Sequence, residues 1–163
     1  MQRRLRLLLL LAGLSVLTGF VSAAAQQPST APKPAFHPGL GDLMTAFVQP
    51  RHTKLGLAGS EQNWPYAAYE LNELREAFDG IAQMVPKYRN LSIPEMIGAS
   101  IKEPLTALDR VIKAKDPKQF AALYGQLTAG CNACHQSTDK GMIVIQVPTV
   151  SAFPDQDFRL PKP

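Results

Sequence analysis

The stretch DPKQFAALYGQLTAGCNACH, residues 116–135, combines a strong helical pattern with a short motif of high specificity. Asp116 followed by Pro117 is typical of a helix start, because aspartate caps free N–H groups and proline suits the first turn. Apolar residues and cysteines then recur at helical spacing: Phe120, Leu123, Leu127, Cys131 and Cys134. This spacing predicts a helix that runs to about Gln136 with both cysteines on its inward face.

The last five residues of this stretch form a C-x-x-C-H pattern: Cys131-Asn132-Ala133-Cys134-His135. The pattern is the attachment signature of a c-type haem. Thiols at positions i and i+3 share one side of a helix, so both can bond the vinyl groups of one porphyrin. The histidine that follows supplies the proximal iron ligand. We therefore expect one covalent haem c, held by Cys131 and Cys134 and ligated by His135.

Three other interpretations of the cysteine pair fit less well. A thioredoxin-like redox pair needs the start of a helix to lower a thiol pKa, whereas this pair lies near the end of one. A disulfide between positions i and i+3 of a helix has poor geometry. A zinc site needs further ligands, and His37 and His52 are the other histidines of the sequence.

The N-terminus indicates export. Residues 1–25 contain three arginines, then an apolar run from Leu7 to Val21, then small residues that end at Ala25. This order is typical of a secretory signal peptide, cleaved between Ala25 and Gln26. A retained membrane anchor is the alternative, but about 20 apolar residues are needed to span a bilayer and the run is shorter. We expect a periplasmic protein.

The exported chain carries almost no net charge. Three of the 17 basic residues lie in the signal peptide, which leaves 14 against 13 acidic residues. No basic patch with interleaved aromatic residues is present, so nucleic acid is not expected as a partner. Residues 26–38 are rich in proline and small polar residues, and they predict a flexible leader.

Three further helices precede the haem motif in the sequence. The first is predicted at about 40–58, with Pro50 as a kink and one apolar side: Leu43, Met44, Phe47, Val48, Arg51 and Leu55. The second is predicted at about 64–85 with Asn63 as its cap. The third begins at the capping box Ser92-Ile93-Pro94-Glu95. No segment from 40 to 136 alternates like a strand. Short connections predict antiparallel neighbours.

The predicted fold is all-α: an up-down-up-down four-helix bundle at residues 39–140 whose last helix binds haem. Residues 141–163 form an extended tail, in which 142–147 are largely apolar and several prolines follow. That stretch predicts either a short strand or an extended cover over one end of the bundle.

A single C-x-x-C-H near the C-terminus of an exported four-helix bundle resembles the cytochrome c prime group, the class II c-type cytochromes. The resemblance covers about residues 40–136 and rests on the motif and the architecture. It implies either a methionine ligand from the start of the first helix, as in electron carriers, or a five-coordinate iron open to small gases. It is also compatible with a homodimer. One departure is that this chain continues for 28 residues after His135.

The sixth iron ligand decides between these functions. In an alternating bundle the start of the first helix faces the end of the fourth, which makes Met44 the expected distal ligand; its other interpretation is a core methionine. His52 is the rival, although it lies about 12 Å further along an ideal helix.

We expect a monohaem electron-transfer cytochrome that serves redox partner proteins, with no catalytic residues of its own. The alternative is a five-coordinate protein that binds nitric oxide or carbon monoxide for sensing or detoxification.

Overall fold

The computed structural model describes residues 36–162, which are helical over most of their length. The elements are α1 (Leu40–Leu43), a π-helical turn (Met44–Val48), α2 (Gln49–Ser60), α3 (Trp64–Met84), β1 (Lys87–Tyr88), β2 (Leu91–Ser92), α4 (Ile93–Ala114) and α5 (Pro117–Ser137). The all-α prediction is therefore confirmed at the level of fold class. The predicted signal peptide, 1–25, and residues 26–35 of the predicted leader, 26–38, lie outside the described residues.

Residues 40–60 form one continuous helical segment that contains the π-helical turn just before Pro50. The backbone N–H of Gln49 donates to the carbonyl of Met44, five residues back. Leu43, just before this wider turn, and Val48, at its end, are both buried. Phe47, expected on the apolar side, is instead 44% exposed, so that prediction is wrong. The extra residue per turn is the physical reason.

Two of the three predicted helix caps are formed. Asn63 and Asp116 each accept backbone N–H groups from the first turn of their helix. Ser92 occupies the cap position of α4, but its side chain makes no capping bond. It pairs instead with Lys87 in the antiparallel hairpin β1–β2. The expectation of no strand between 40 and 136 is therefore wrong for these two short strands.

The long helices pack in chain order, α2 on α3, α3 on α4 and α4 on α5, and α2 also contacts α5. Two glycines of α2 allow α5 to approach closely. A Cβ atom at Gly56 would lie 2.5 Å from the ring of Tyr124, and one at Gly59 would overlap the ring of Phe120. Both aromatic rings are buried, at 2% and 3% exposure. Aromatic side chains of α5 thus pack directly on the backbone of α2.

A third glycine sets the contact between α5 and α4. A Cβ atom at Gly130 would overlap the backbone carbonyl of Ser100. In a regular helix that carbonyl would accept the N–H of residue 104, but Pro104 has none. Helix α4 runs unbroken through Pro104. The close approach lies immediately before Cys131, so it fixes the position of the C-x-x-C-H motif along α4.

The tail is extended and packs on the helices without joining a strand. Pro148 lies against Gly56. Further on, the Asn63 side chain donates to the carbonyls of Phe158 and Arg159, at 3.2 and 3.1 Å. Phe158 belongs to the main hydrophobic core. The described part of the tail therefore forms no strand, and its end shares the core of the helices.

No helix within residues 36–162 combines the length and the apolar character needed to cross a membrane.

The contact between α4 and α5 gives a first testable prediction. Gly130→Ala should lower the free energy of unfolding by about 1–3 kcal/mol, because the new methyl group meets backbone that cannot rotate away. Gly125→Ala is the matched control, since no atom lies near a Cβ there. It should be neutral or raise stability by about 0.5–1 kcal/mol. Denaturant unfolding measures both, and equal effects of the two variants would contradict the packing described.

Candidate haem-binding site

A cavity of about 210 Å³ brings together every residue that the sequence proposed for the site. Cys131, Cys134 and His135 line it from the end of α5, and Met44 and His52 line it from the first helical segment. The rest of the wall is mostly apolar and includes Val48, Phe78, Ile93, Ile97, Ile101 and Ile145. The start of the first helical segment and the end of the last helix therefore meet at one cavity.

The end of α5 is held by hydrogen bonds that use its last free carbonyl groups. The hydroxyl of Thr138 lies 2.9 Å from the carbonyl of Cys134 and 3.1 Å from that of His135. The backbone N–H of Lys140 donates to the His135 carbonyl at 2.7 Å. Thr138 itself is buried. These contacts satisfy carbonyls that a helix end otherwise leaves free, so the motif is well fixed.

His135 has the hydrogen bonding of a metal-ligating histidine. Its Nδ1 lies 2.8 Å from the carbonyl of Ile143 in the tail. A carbonyl only accepts, so Nδ1 must carry the proton. In the neutral ring Nε2 then carries the lone pair, and among the described residues nothing hydrogen-bonds to it. A histidine whose Nδ1–H is engaged by a backbone carbonyl is oriented to coordinate a metal through Nε2.

The two cysteines are free thiols in electrostatic surroundings that disfavour thiolate. Burial raises the pKa of Cys131 to about 11, and burial also raises the pKa of Cys134. A redox-active cysteine pair needs the opposite shift, since the thiolate is the nucleophile. The pair therefore lacks the electrostatics of a thioredoxin-like site.

His52 lies within a closed hydrogen-bond network. It is 3% exposed, its Nδ1 is 3.0 Å from the hydroxyl of Tyr124, and its Nε2 is 3.0 Å from the hydroxyl of Thr128. The Tyr124 hydroxyl also reaches the backbone carbonyl of His52, at 2.6 Å. Both ring nitrogens are thus occupied. To ligate iron, His52 would have to break one of these bonds, which costs the buried network a hydrogen bond.

Two methionines line the cavity from different elements. Met44 opens the π-helical turn, and Met96 lies in the first turns of α4. Both are half-buried and pack against the main core. Turns of π-helix occur frequently at functional sites, because the extra residue redirects a side chain. Sequence reasoning missed Met96. Its position, one turn after the start of a helix next to α5, was the signal that could have identified it as a site residue.

Sequence reasoning also missed the roles of Tyr124, Thr128 and Asn132. The first two lie seven and three residues before Cys131, on the same side of α5, and that spacing was a usable signal. Asn132 stands inside the motif, and its side chain bonds the tail at Ile145. The Ile143 carbonyl had no sequence signal, because any residue supplies one.

Within residues 36–162, no group of three or more histidine, cysteine, aspartate or glutamate residues is arranged to hold a metal ion.

Comparison with models of protein families, with curated proteins and with solved structures finds no match to this chain.

The buried histidine predicts a pH-dependent stability. Burial lowers the pKa of His52 to about 4 from 6.5. Because the unfolded chain binds a proton that the native chain rejects, stability should fall as the pH drops from 6.5 to 4, by up to about 3 kcal/mol. In the His52→Gln variant, the free energy of unfolding, measured with denaturant, should change less between pH 6.5 and pH 4 than in wild type. His37→Gln, at an exposed histidine, is the control and should keep the wild-type change; a His52→Gln variant with the wild-type change would refute this account.

Proposed function

We propose that this chain is a periplasmic monohaem c-type cytochrome that transfers electrons between redox partner proteins. In this proposal the helices form an up-down-up-down four-helix bundle of the cytochrome c prime kind. Cys131 and Cys134 attach the porphyrin, His135 is the proximal iron ligand and Met44 is the distal one.

One observation carries the proposal. The two thiols and the histidine of C-x-x-C-H line one cavity with Met44, and that cavity is otherwise mostly apolar. The four side chains supply two sulfur atoms for thioether bonds, an imidazole and a thioether. This donor set fits a c-type haem with histidine and methionine ligands. A haem bound there would supply one-electron chemistry at its iron.

The bundle topology draws support from the packing. Helix α2 contacts both α3 and α5, and α4 contacts both α3 and α5, so the four long helices close into a ring of neighbours. Met44 at the start of the first segment and His135 at the end of α5 share a cavity. An alternating arrangement of helices brings those two ends together.

The residues around the cavity have separate tasks. His135 offers Nε2 while the Ile143 carbonyl holds its Nδ1–H. The apolar wall excludes water, which favours the less charged, reduced state of a bound haem. Met44 as a thioether ligand also favours that state, which suits an electron carrier.

Met44 is preferred over one rival because of hydrogen bonding and over the other because of position. His52 has both ring nitrogens engaged by hydroxyl groups. Met96 has the right sulfur chemistry, but it lies on α4, the direct neighbour of the helix that carries His135. The same engagement weighs against a peroxidase-type role, in which His52 would have to act as a distal acid–base group.

The optical spectrum of the purified holoprotein tests the ligand set. Wild type should show low-spin iron, and Met44→Leu should turn the ferric spectrum high-spin, because leucine keeps the volume and cannot coordinate. Met96→Leu is the matched control and should stay low-spin.

Two results would contradict the assignment. A Met44→Leu variant that stays low-spin excludes Met44 as a ligand, and a high-spin Met96→Leu variant would assign that role to Met96. High-spin wild-type iron that takes up carbon monoxide on reduction would instead support the alternative function, a five-coordinate protein that binds small gases.

A further inference from the structure

The first variable residue of the C-x-x-C-H motif is bonded twice to the tail. Asn132 Nδ2 donates to the carbonyl of Ile145 at 2.9 Å, and the N–H of Ile145 donates to Asn132 Oδ1 at 2.7 Å. Both polar atoms of the Asn132 side chain thus bond the backbone of a single residue, Ile145. Two such bonds match the exchange between paired residues of antiparallel strands, so they fix the tail in position and direction.

This pairing determines where the Ile143 carbonyl lies. Asn132 and His135 are three residues apart on α5, about one helical turn. Ile143 and Ile145 are two residues apart on an extended chain, so they share one side of it. With Ile145 fixed on Asn132, the Ile143 carbonyl reaches His135 Nδ1 at 2.8 Å.

Little else holds this part of the tail. Met142, Ile143 and Val144 are 76%, 50% and 65% exposed, so hydrophobic burial contributes little there. The N–H of Ile143 closes a turn onto the carbonyl of Lys140 at 2.8 Å. The next packed residue described is Pro148, against Gly56. Apart from the bond between His135 and the Ile143 carbonyl itself, the bonds from Asn132 are therefore the main constraint between that turn and Pro148.

We propose that Asn132 is a positioning residue for the proximal ligand: it holds the tail at Ile145 and thereby presents the Ile143 carbonyl to His135. The assignment rests on the proposed haem function. An acceptor on Nδ1–H raises the donor strength of Nε2 and fixes the orientation of the ring. A stronger donor stabilises ferric over ferrous iron. The tail that departs from the class II pattern thus becomes part of the iron site.

The test compares wild-type holoprotein with Asn132→Ala by three measurements. Hydrogen exchange at the Ile145 amide should become about tenfold faster, the loss expected for one net hydrogen bond. The iron–histidine stretching frequency in the ferrous resonance Raman spectrum should fall, measured with Met44→Leu as the common background to expose a five-coordinate ferrous iron. The midpoint potential of the Met44-containing protein should rise.

Two further variants separate positioning from general damage. Asn132→Asp keeps the acceptor for the Ile145 N–H and loses the donor, so it should lie between wild type and Asn132→Ala in all three measurements. Ala133→Asn places the same amide at the exposed neighbouring position and should leave all three at wild-type values.

The outcomes distinguish this inference from the function on which it rests. A wild-type protein without haem would overturn the proposed function and this assignment together. A haem-bearing wild type whose Asn132→Ala variant keeps both the stretching frequency and the potential would overturn the assignment alone. Faster exchange without those changes would have the same meaning: Asn132 then holds the tail but does not act on His135.

Discussion

The close packing of α5 on α2 is the contact on which the rest of the molecule depends. Tyr124 reaches the backbone of α2 because Gly56 has no side chain, and its hydroxyl then meets His52. Larger residues at Gly56 or Gly59 would push α5 outward by more than the packing could absorb. Helix α5 thus packs its first half on α2 through aromatic rings, while its last two turns carry the C-x-x-C-H motif to a cavity.

The tail completes the site from the other side. It supplies a carbonyl to His135 and two backbone bonds to Asn132, and then continues to Phe158 in the main core. Polar contacts hold its exposed first part, and hydrophobic burial holds its end. The segment that departs most from the cytochrome c prime pattern is therefore attached directly to the motif that suggested the resemblance.

Local signals explain how much of this fold could be predicted. Helix α3 and helix α5 end within one residue of the predicted boundaries, because a cap, a proline and a regular apolar period agree in each. The π-helical turn was missed because the apolar spacing was interpreted with one helical period throughout. Pro50 indicates only that one backbone N–H donor is absent. The hairpin 87–92 was missed because strands of two residues are too short to alternate.

Some residues of the candidate site could likewise be predicted from the sequence, and others could not. The C-x-x-C-H motif is contiguous, so its three residues could be named from sequence, and the alternation of helices led to Met44. Tyr124 and Thr128, which hydrogen-bond to His52, lie 72 and 76 positions further along the chain, and no periodicity indicates such a pairing. The carbonyl that orients His135 belongs to the backbone, and only the path of the tail determines which residue provides it.

The central claim is that Cys131 and Cys134 carry a covalent haem. It is tested most directly by the intact mass, under denaturing conditions, of the protein exported from a host that matures c-type cytochromes. The account predicts the mass of the processed chain plus one haem, and loss of that addition when both cysteines are replaced by serine. A wild-type mass equal to that of the bare chain would contradict it.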